Sequence, residues 1–287
     1  MSYSDYDKRM KKYEYVSRNY LTTRVPVIIR IDGKAFHTFT NGFQCPFDSV
    51  LSKSMQDTML YLCENIQGCV LGYTQSDEIT LILTDYKDIN TSPWFDYNVQ
   101  KCVSVSASMA TMAFNRAFAI NMGNWWHEVS TEWRESGLTK MPDYLEKPLK
   151  LYGRYQKALE RGAMFDARVF NIPKDEVTNN IYWRQQDAIR NSVQMVGRAY
   201  FSNKELHKKS ISDIIRMLIN VKSVDWNDYP MQFRRGSCCV RKPVEASTEN
   251  TVRNPWVIDN DIPVFKAEGR KYVDELIYIG ESKESDT

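Results

Sequence analysis

The chain has 287 residues, of which 43% are hydrophobic and 26% charged, with a formal net charge of +2. That suits a globular protein with a substantial core, and it excludes a globally basic nucleic-acid binder: any such surface must come from local clustering. No apolar run approaches the ~18 residues of a membrane span. The polar, charged start MSYSDYDKRMKKYE has no leader character, so a cytoplasmic protein is expected.

Residues 1–24 read as a charged helix or arm. Arg24 to Asp32, RVPVIIRID, carries a nearly continuous β-branched run, the mark of a buried strand. Asp48 caps a helix reaching about Ile66, since Leu51, Met55, Met59, Leu62 and Ile66 recur at helical steps and Gly68 stops it. Cys69–Tyr73 and Ile79–Thr84 form a hairpin around a short polar turn, with Asp77 and Glu78 at its tip or at the start of the second strand. A helix rich in small residues runs from about Val99 to Ile120. Met122 to Met164 is tryptophan-rich and reads as an insertion with its own helix near Leu149–Arg161.

Phe165–Pro173 reads as the next strand. A helix from Pro173 to about Phe201 follows, then a capping box at Ser210 and Asp213 opening a helix to about Val221. Arg234–Lys242 is a basic turn into a strand, and residues 281–287 form a charged tail, expected to be disordered. The order strand, helix, strand, strand, helix, strand predicts an α+β fold with a ferredoxin-like palm (βαββαβ) over residues 25–173. A mostly helical, basic part follows over 174–280.

Six cysteines are present without a C-x-x-C pair, so they read as reduced thiols and not a zinc site. No Ser/His/Asp or Cys/His arrangement is visible, which disfavours a covalent hydrolase. Asp32 at a strand end and Asp77 at the neighbouring hairpin tip can converge on one point. Hard oxygen ligands there suit two magnesium ions carrying triphosphate oxygens; turn formation is the plainer alternative. After Asp32, Gly33 permits close backbone approach, and successive amides of the loop through His37 can cradle phosphate. A tight turn with Phe36 packed inward is the competing reading. Late basic residues, among them Arg184, Arg190, Arg198, Lys204, Lys208, Lys209, Arg234 and Arg235, offer triphosphate or RNA-backbone contacts. Ion pairs with Glu176, Asp187 and Asp213 compete for them.

Two segments, RIDGKAFHTF (Arg30–Phe39) and GYTQSDEITLIL (Gly72–Leu83), resemble the tRNA-histidine guanylyltransferase family. So do SVSAS at Ser104–Ser108, FDARVFNIP, YWRQQDAIRNS at Tyr182–Ser192 and the basic turn at Arg234–Gly236, in the same order. The resemblance implies a polymerase-like palm, two Mg2+ ions, ATP and GTP or another NTP as substrates, tRNA or other structured RNA as partner, and a homotetramer. It puts Asp32, Gly33 and Asp77 at the metals. Nucleotide contacts fall at Asp32, Gly33, Lys34, Ala35, Phe36, His37, Asp48, Ser76 and Asp77, with Glu78 behind them. Arg184, Arg190, Asn191, Lys204, Lys209, Arg234 and Arg235 are left as candidate triphosphate or RNA contacts.

Strict guanylyltransferases carry a Cys-His-Ile-Asn-Asn run where this chain has Ala188-Ile189-Arg190-Asn191-Ser192. That departure resembles the guanylyltransferase-like branch associated with templated 5′-end repair. Cys45 replaces a family lysine, and Met122–Met164 has no counterpart in the family core. The expected function is therefore 3′-5′ nucleotide addition to RNA. The rivals are a tRNA-histidine-specific enzyme, a palm-type cyclase or 5′-3′ polymerase, and a non-catalytic RNA-binding protein.

Overall fold

The computed structural model describes residues 3–137, 141–245 and 252–279. The tail 281–287 lies outside them. In chain order the helices are α1 (Tyr3–Tyr15), α2 (Phe36–Phe39), α3 (Ser49–Asn65), α4 (Val99–Glu135), α5 (Glu146–Arg161), α6 (Lys174–Tyr200), α7 (Asn203–Leu206), α8 (Ile211–Lys222), α9 (Met231–Arg235) and α10 (Lys271–Ile277). The strands are β1 (Val27–Gly33), β2 (Cys69–Gln75), β3 (Glu78–Leu83), β4 (Phe165–Asn171), β5 (Ser237–Arg241), β6 (Val244–Glu245), β7 (Val252–Arg253) and β8 (Trp256–Asp259).

The main sheet runs β4-β1-β3-β2-β5-β8, and every neighbouring pair is antiparallel. Its first four strands are the expected ferredoxin-like order; β5 and β8 extend it, and β6 pairs with β7 separately. β1 is hydrophobic on both sides because both faces are covered. Ile29 and Ile31 pack with α3 and α4, whereas Ile28 packs with Leu71, Tyr73 and Ile82 beneath Val177 and Ile181 of α6 and Val273 of α10. The far end of α6 makes a third cluster with Ile214 and Leu218 of α8.

The helix from Val99 does not stop near Ile120 but continues to Glu135. Gly123 has nothing within 4 Å of its missing side chain, so it neither turns the chain nor admits a neighbour. Trp125 and Trp126 instead pack on Tyr155 and Tyr152 of α5. The stretch read as an insertion therefore adds Met122, Tyr155 and Ala158 to the main core.

Asp48 is the N-cap of α3 as expected, with Oδ1 accepting from Leu51 N–H at 2.9 Å. Its Oδ2 accepts from Gln44 N–H at 3.0 Å and from the Tyr155 hydroxyl at 2.7 Å. One buried carboxylate thus ties α3, the preceding loop and α5. Asp48→Ala is expected to cost about 2–3 kcal/mol in urea unfolding, from the lost cap and the orphaned tyrosine hydroxyl. Tyr155→Phe should cost about 1 kcal/mol. Equal stability of Asp48→Ala and wild type would contradict this assignment.

Candidate active site

The site is built at one corner of the sheet. Asp32 is paired across β1–β3 with Glu78 and across β1–β4 with Asp166. A two-residue turn, Ser76-Asp77, joins β2 to β3, with Ser76 in the left-handed region at φ 51°. Gly33 N–H donates to the Asp77 carbonyl at 3.0 Å. The end of β1 is thereby fastened to the hairpin tip, and Asp32 and Asp77 are brought together.

Burial pushes the Asp77 carboxyl above its ordinary range, and the charge of Asp32 adds to the rise; the Ser76 hydroxyl, 3.0 Å away, opposes it. Burial likewise raises Glu78, with Arg184 opposing and Asp32 adding. Two carboxylates and the neighbouring Gly33 carbonyl form a hard-oxygen donor set that suits magnesium, which keeps water and phosphate among its ligands. Among the described residues no three His, Cys, Asp or Glu side chains make a self-sufficient metal cage. Any ion held here must take further ligands from substrate and water.

Glu78 does not face the corner as a free acid. Arg184, itself 8% exposed, grips it bidentately, Nε to Oε1 at 2.7 Å and Nη2 to Oε2 at 2.8 Å, and also reaches Asp187 at 3.0 Å. The guanidinium expected to meet triphosphate or RNA is thus committed inside, because α6 packs on the sheet face that carries Ile28, Leu71, Tyr73 and Ile82. Trp183 lies beside it, exposed, with Arg30 on its ring.

The loop after Asp32 departs from a row of free amides. Gly33 N–H is used by Asp77, and Lys34 N–H donates to the Met164 carbonyl at 2.9 Å. Ala35 adopts the left-handed conformation, φ 54°, and starts α2 with no side-chain cap. Phe36 is core: it packs on Phe39, Phe114 and Phe165, and a Cβ on Gly33 would stand 2.2 Å from its ring. Its side chain is unavailable to a nucleotide. Lys34 and His37 are exposed.

Beside Ser76 opens a cleft with about 640 Å3 of empty space between the start of α3, the hairpin, α6 and the α9–β5 turn. Asp48, Gln75, Ser76, Asn191, Gln232 and Phe233 are among its lining residues. The ring of Phe233 stacks on Phe47, centroids 4.9 Å apart. Asp48 reaches this cleft with its oxygens already engaged in the cap.

The remaining basic candidates do not form one patch. Arg190 is ion-paired with Asp187. Arg234 lies over the Trp226 ring and bonds Asn227 at 3.3 Å. Arg235 is half-buried, its guanidinium pKa lowered by burial and by Arg234. Lys204 and Lys209 are exposed near α7, on the third cluster. Sequence reasoning missed Asp166 and Arg168, which the β1–β4 register sets opposite Asp32 and Arg30. It also missed Gln75 and Gln232 in the cleft, which carry no local sequence signal.

A sequence profile described as "Thg1: tRNAHis guanylyltransferase" matches residues 7–173. A bacterial tRNAHis guanylyltransferase-like protein solved in complex with ATP is 37% identical and superimposes with a TM-score of 0.73, covering 95% of this chain and 99% of that one. A second such structure, in complex with GTP, is 35% identical with a TM-score of 0.69, covering 96% and 99%. A protein of Acanthamoeba polyphaga mimivirus is 27% identical over 90% of this chain and 82% of its own length. The tRNAHis guanylyltransferase of Schizosaccharomyces pombe is 24% identical over 82% and 80%. With its palm-type sheet and paired aspartates at the sheet corner, this chain belongs to the tRNAHis guanylyltransferase family of nucleotidyltransferases.

Proposed function

We propose that the protein adds nucleotides to the 5′ end of tRNA or a tRNA-like RNA, in the 3′-5′ direction, opposite a complementary strand and after activation by ATP. The observation that carries this reading is the junction of Asp32 and Asp77 at the end of β1, fastened by the Gly33–Asp77 backbone bond. The ATP and GTP complexes of similar bacterial proteins support nucleotides as substrates. The repair reading is favoured over tRNA-histidine specificity by Ile189 and Ser192, which stand where the strict enzymes carry histidine and asparagine. Ser192 here is buried, its hydroxyl accepting from the Trp226 indole N–H at 2.8 Å, a packing role.

In this mechanism the 5′-monophosphate of the RNA first takes AMP from ATP, releasing pyrophosphate. The 3′-hydroxyl of an incoming NTP then attacks the RNA 5′ phosphorus; a P–O bond forms, AMP leaves, and the hydroxyl proton passes to solvent. Asp32, Asp77 and the Gly33 carbonyl would hold magnesium, which supplies charge neutralisation at the triphosphate and a more acidic attacking hydroxyl. Ser76 and Asn191 lie at the cleft beside the corner and orient the nucleotide, and exposed Lys34, two residues after Asp32, offers positive charge to its phosphates. Base pairing selects the nucleotide, so the protein need not read the base. Arg184 holds Glu78 in a bidentate ion pair, so that this acid is neutralised beside Asp32 and Asp77.

Asp32→Ala and Asp77→Ala should each lower extension by about three orders of magnitude while the melting temperature holds. The check is to map which end of a labelled, 5′-truncated tRNA grows. Growth at the 3′ end, or full activity in either variant, would overturn the reading. Arg184→Gln leaves Glu78 buried without its partner and should cost about 3 kcal/mol in urea unfolding. Adding Glu78→Gln should restore at least half of that, by a double-mutant cycle; additive losses would contradict the ion-pair role.

A further inference from the structure

Helix α5 touches the site described so far only through the Tyr155–Asp48 hydrogen bond. Its inner side is core: Leu151, Tyr155, Ala158 and Leu159 pack into the main cluster. Its outer side carries Arg154, Lys157 and Arg161, whose spacing of three and four residues sets them on one helix face. That face borders a depression whose opposite wall is Thr38, Phe39 and Asn41, with about 440 Å3 of empty space. Thr38 directly follows the Lys34–His37 loop, so the depression continues the candidate nucleotide loop.

Two of the three cations are held there by specific contacts. Arg161 Nη1 donates to the Thr38 carbonyl at 2.8 Å. The Arg154 side chain crosses Gly42, where an added Cβ would stand 2.4 Å from its Cδ. Gly42 has φ 80°, so a side chain there is excluded by conformation as well as by contact.

Among the described residues, none of the three has a carboxylate within ion-pair distance. Glu146 is taken by Lys150, and Glu160 forms no ion pair with Lys157. At the same spacing elsewhere, cations are matched: Lys11 with Asp7, Lys53 with Asp57, Arg216 with Asp213. Like charges so placed repel one another, and a bound polyanion would relieve that repulsion. From Arg154 to Arg161 the helix advances about 10 Å, the span of about three phosphates along one strand of a duplex. Three cations on one helix face address phosphate, so contact here is with backbone rather than sequence.

We infer that the α5 face, with Thr38 and Asn41, docks the phosphodiester backbone of the substrate RNA beside the nucleotide loop. The inference rests on the proposed 5′-end addition for where the strand leads. It gives α5 a role in holding RNA.

The test is fluorescence anisotropy of the full-length protein with a labelled, 5′-monophosphorylated truncated tRNA across a salt series. ATP and GTP binding are measured in parallel. Arg154→Gln with Lys157→Gln removes two charges and leaves Arg161 on Thr38. Lys53→Gln with Lys271→Gln is the control of equal charge loss. The α5 variant should bind RNA about tenfold more weakly and flatten the log–log salt slope by about 2. The control, and nucleotide affinity in both, should stay within about twofold of wild type. RNA affinity equal to the control's would overturn the inference. So would a loss of ATP and GTP affinity in proportion to RNA, which would assign the face to triphosphate. Because binding is read without turnover, a wild type that binds RNA but extends no 5′ end would remove the proposed function and leave this docking face standing.

Discussion

The antiparallel pairing of β1 with β3 fixes everything at the site. Its register sets Asp32 opposite Glu78, and the Gly33–Asp77 backbone bond closes the corner one residue further on. Shift that register by one residue and Asp32 would turn into the α3/α4 core while Ile31 faced α6. The buried faces of β1 therefore help to hold the Asp32 position: Ile29 and Ile31 pack on one side and Ile28 on the other.

Charge is distributed around that corner in a definite order. Inside, Arg184 neutralises Glu78, the acid paired across the strands with Asp32. At the corner, Asp32 and Asp77 have no ion-pair partner among the described residues, and burial is the chief cause that displaces Asp77 upward. Outside, Lys34 and the α5 cations are exposed. A polyanion approaching this surface meets positive charge first and the carboxylate pair last, which suits a site completed by a divalent ion arriving with its nucleotide.

Much of this was legible in the residues. The strand ending in Asp32, the hairpin around Asp77, the Asp48 cap and the Ser210–Asp213 capping box all have local causes, and each stands where its pattern put it. The motif resemblance supplied the family, which spacing alone left open. What escaped was non-local. The basic run around Arg184 looks the same whether its side chains meet RNA or a buried acid 106 residues away. The amides of Gly33 and Lys34 look free until Asp77 and Met164 claim them. The three cations of α5 are visible in the sequence as a pattern, but the segment they face lies across the chain. The length of α4 was missed for a related reason: the tryptophan-rich stretch from Met122 reads as an insertion, whereas packing on α5 carries the helix through it.

The central claim is that Asp32 and Asp77 act jointly on divalent metal together with nucleotide. Manganese binding followed by electron paramagnetic resonance, with and without a non-hydrolysable GTP analogue, tests it most directly. Wild type should bind Mn2+ tightly only when the analogue is present, and Asp32→Asn and Asp77→Asn should each abolish that nucleotide-dependent binding. Undiminished binding in either variant would contradict the account.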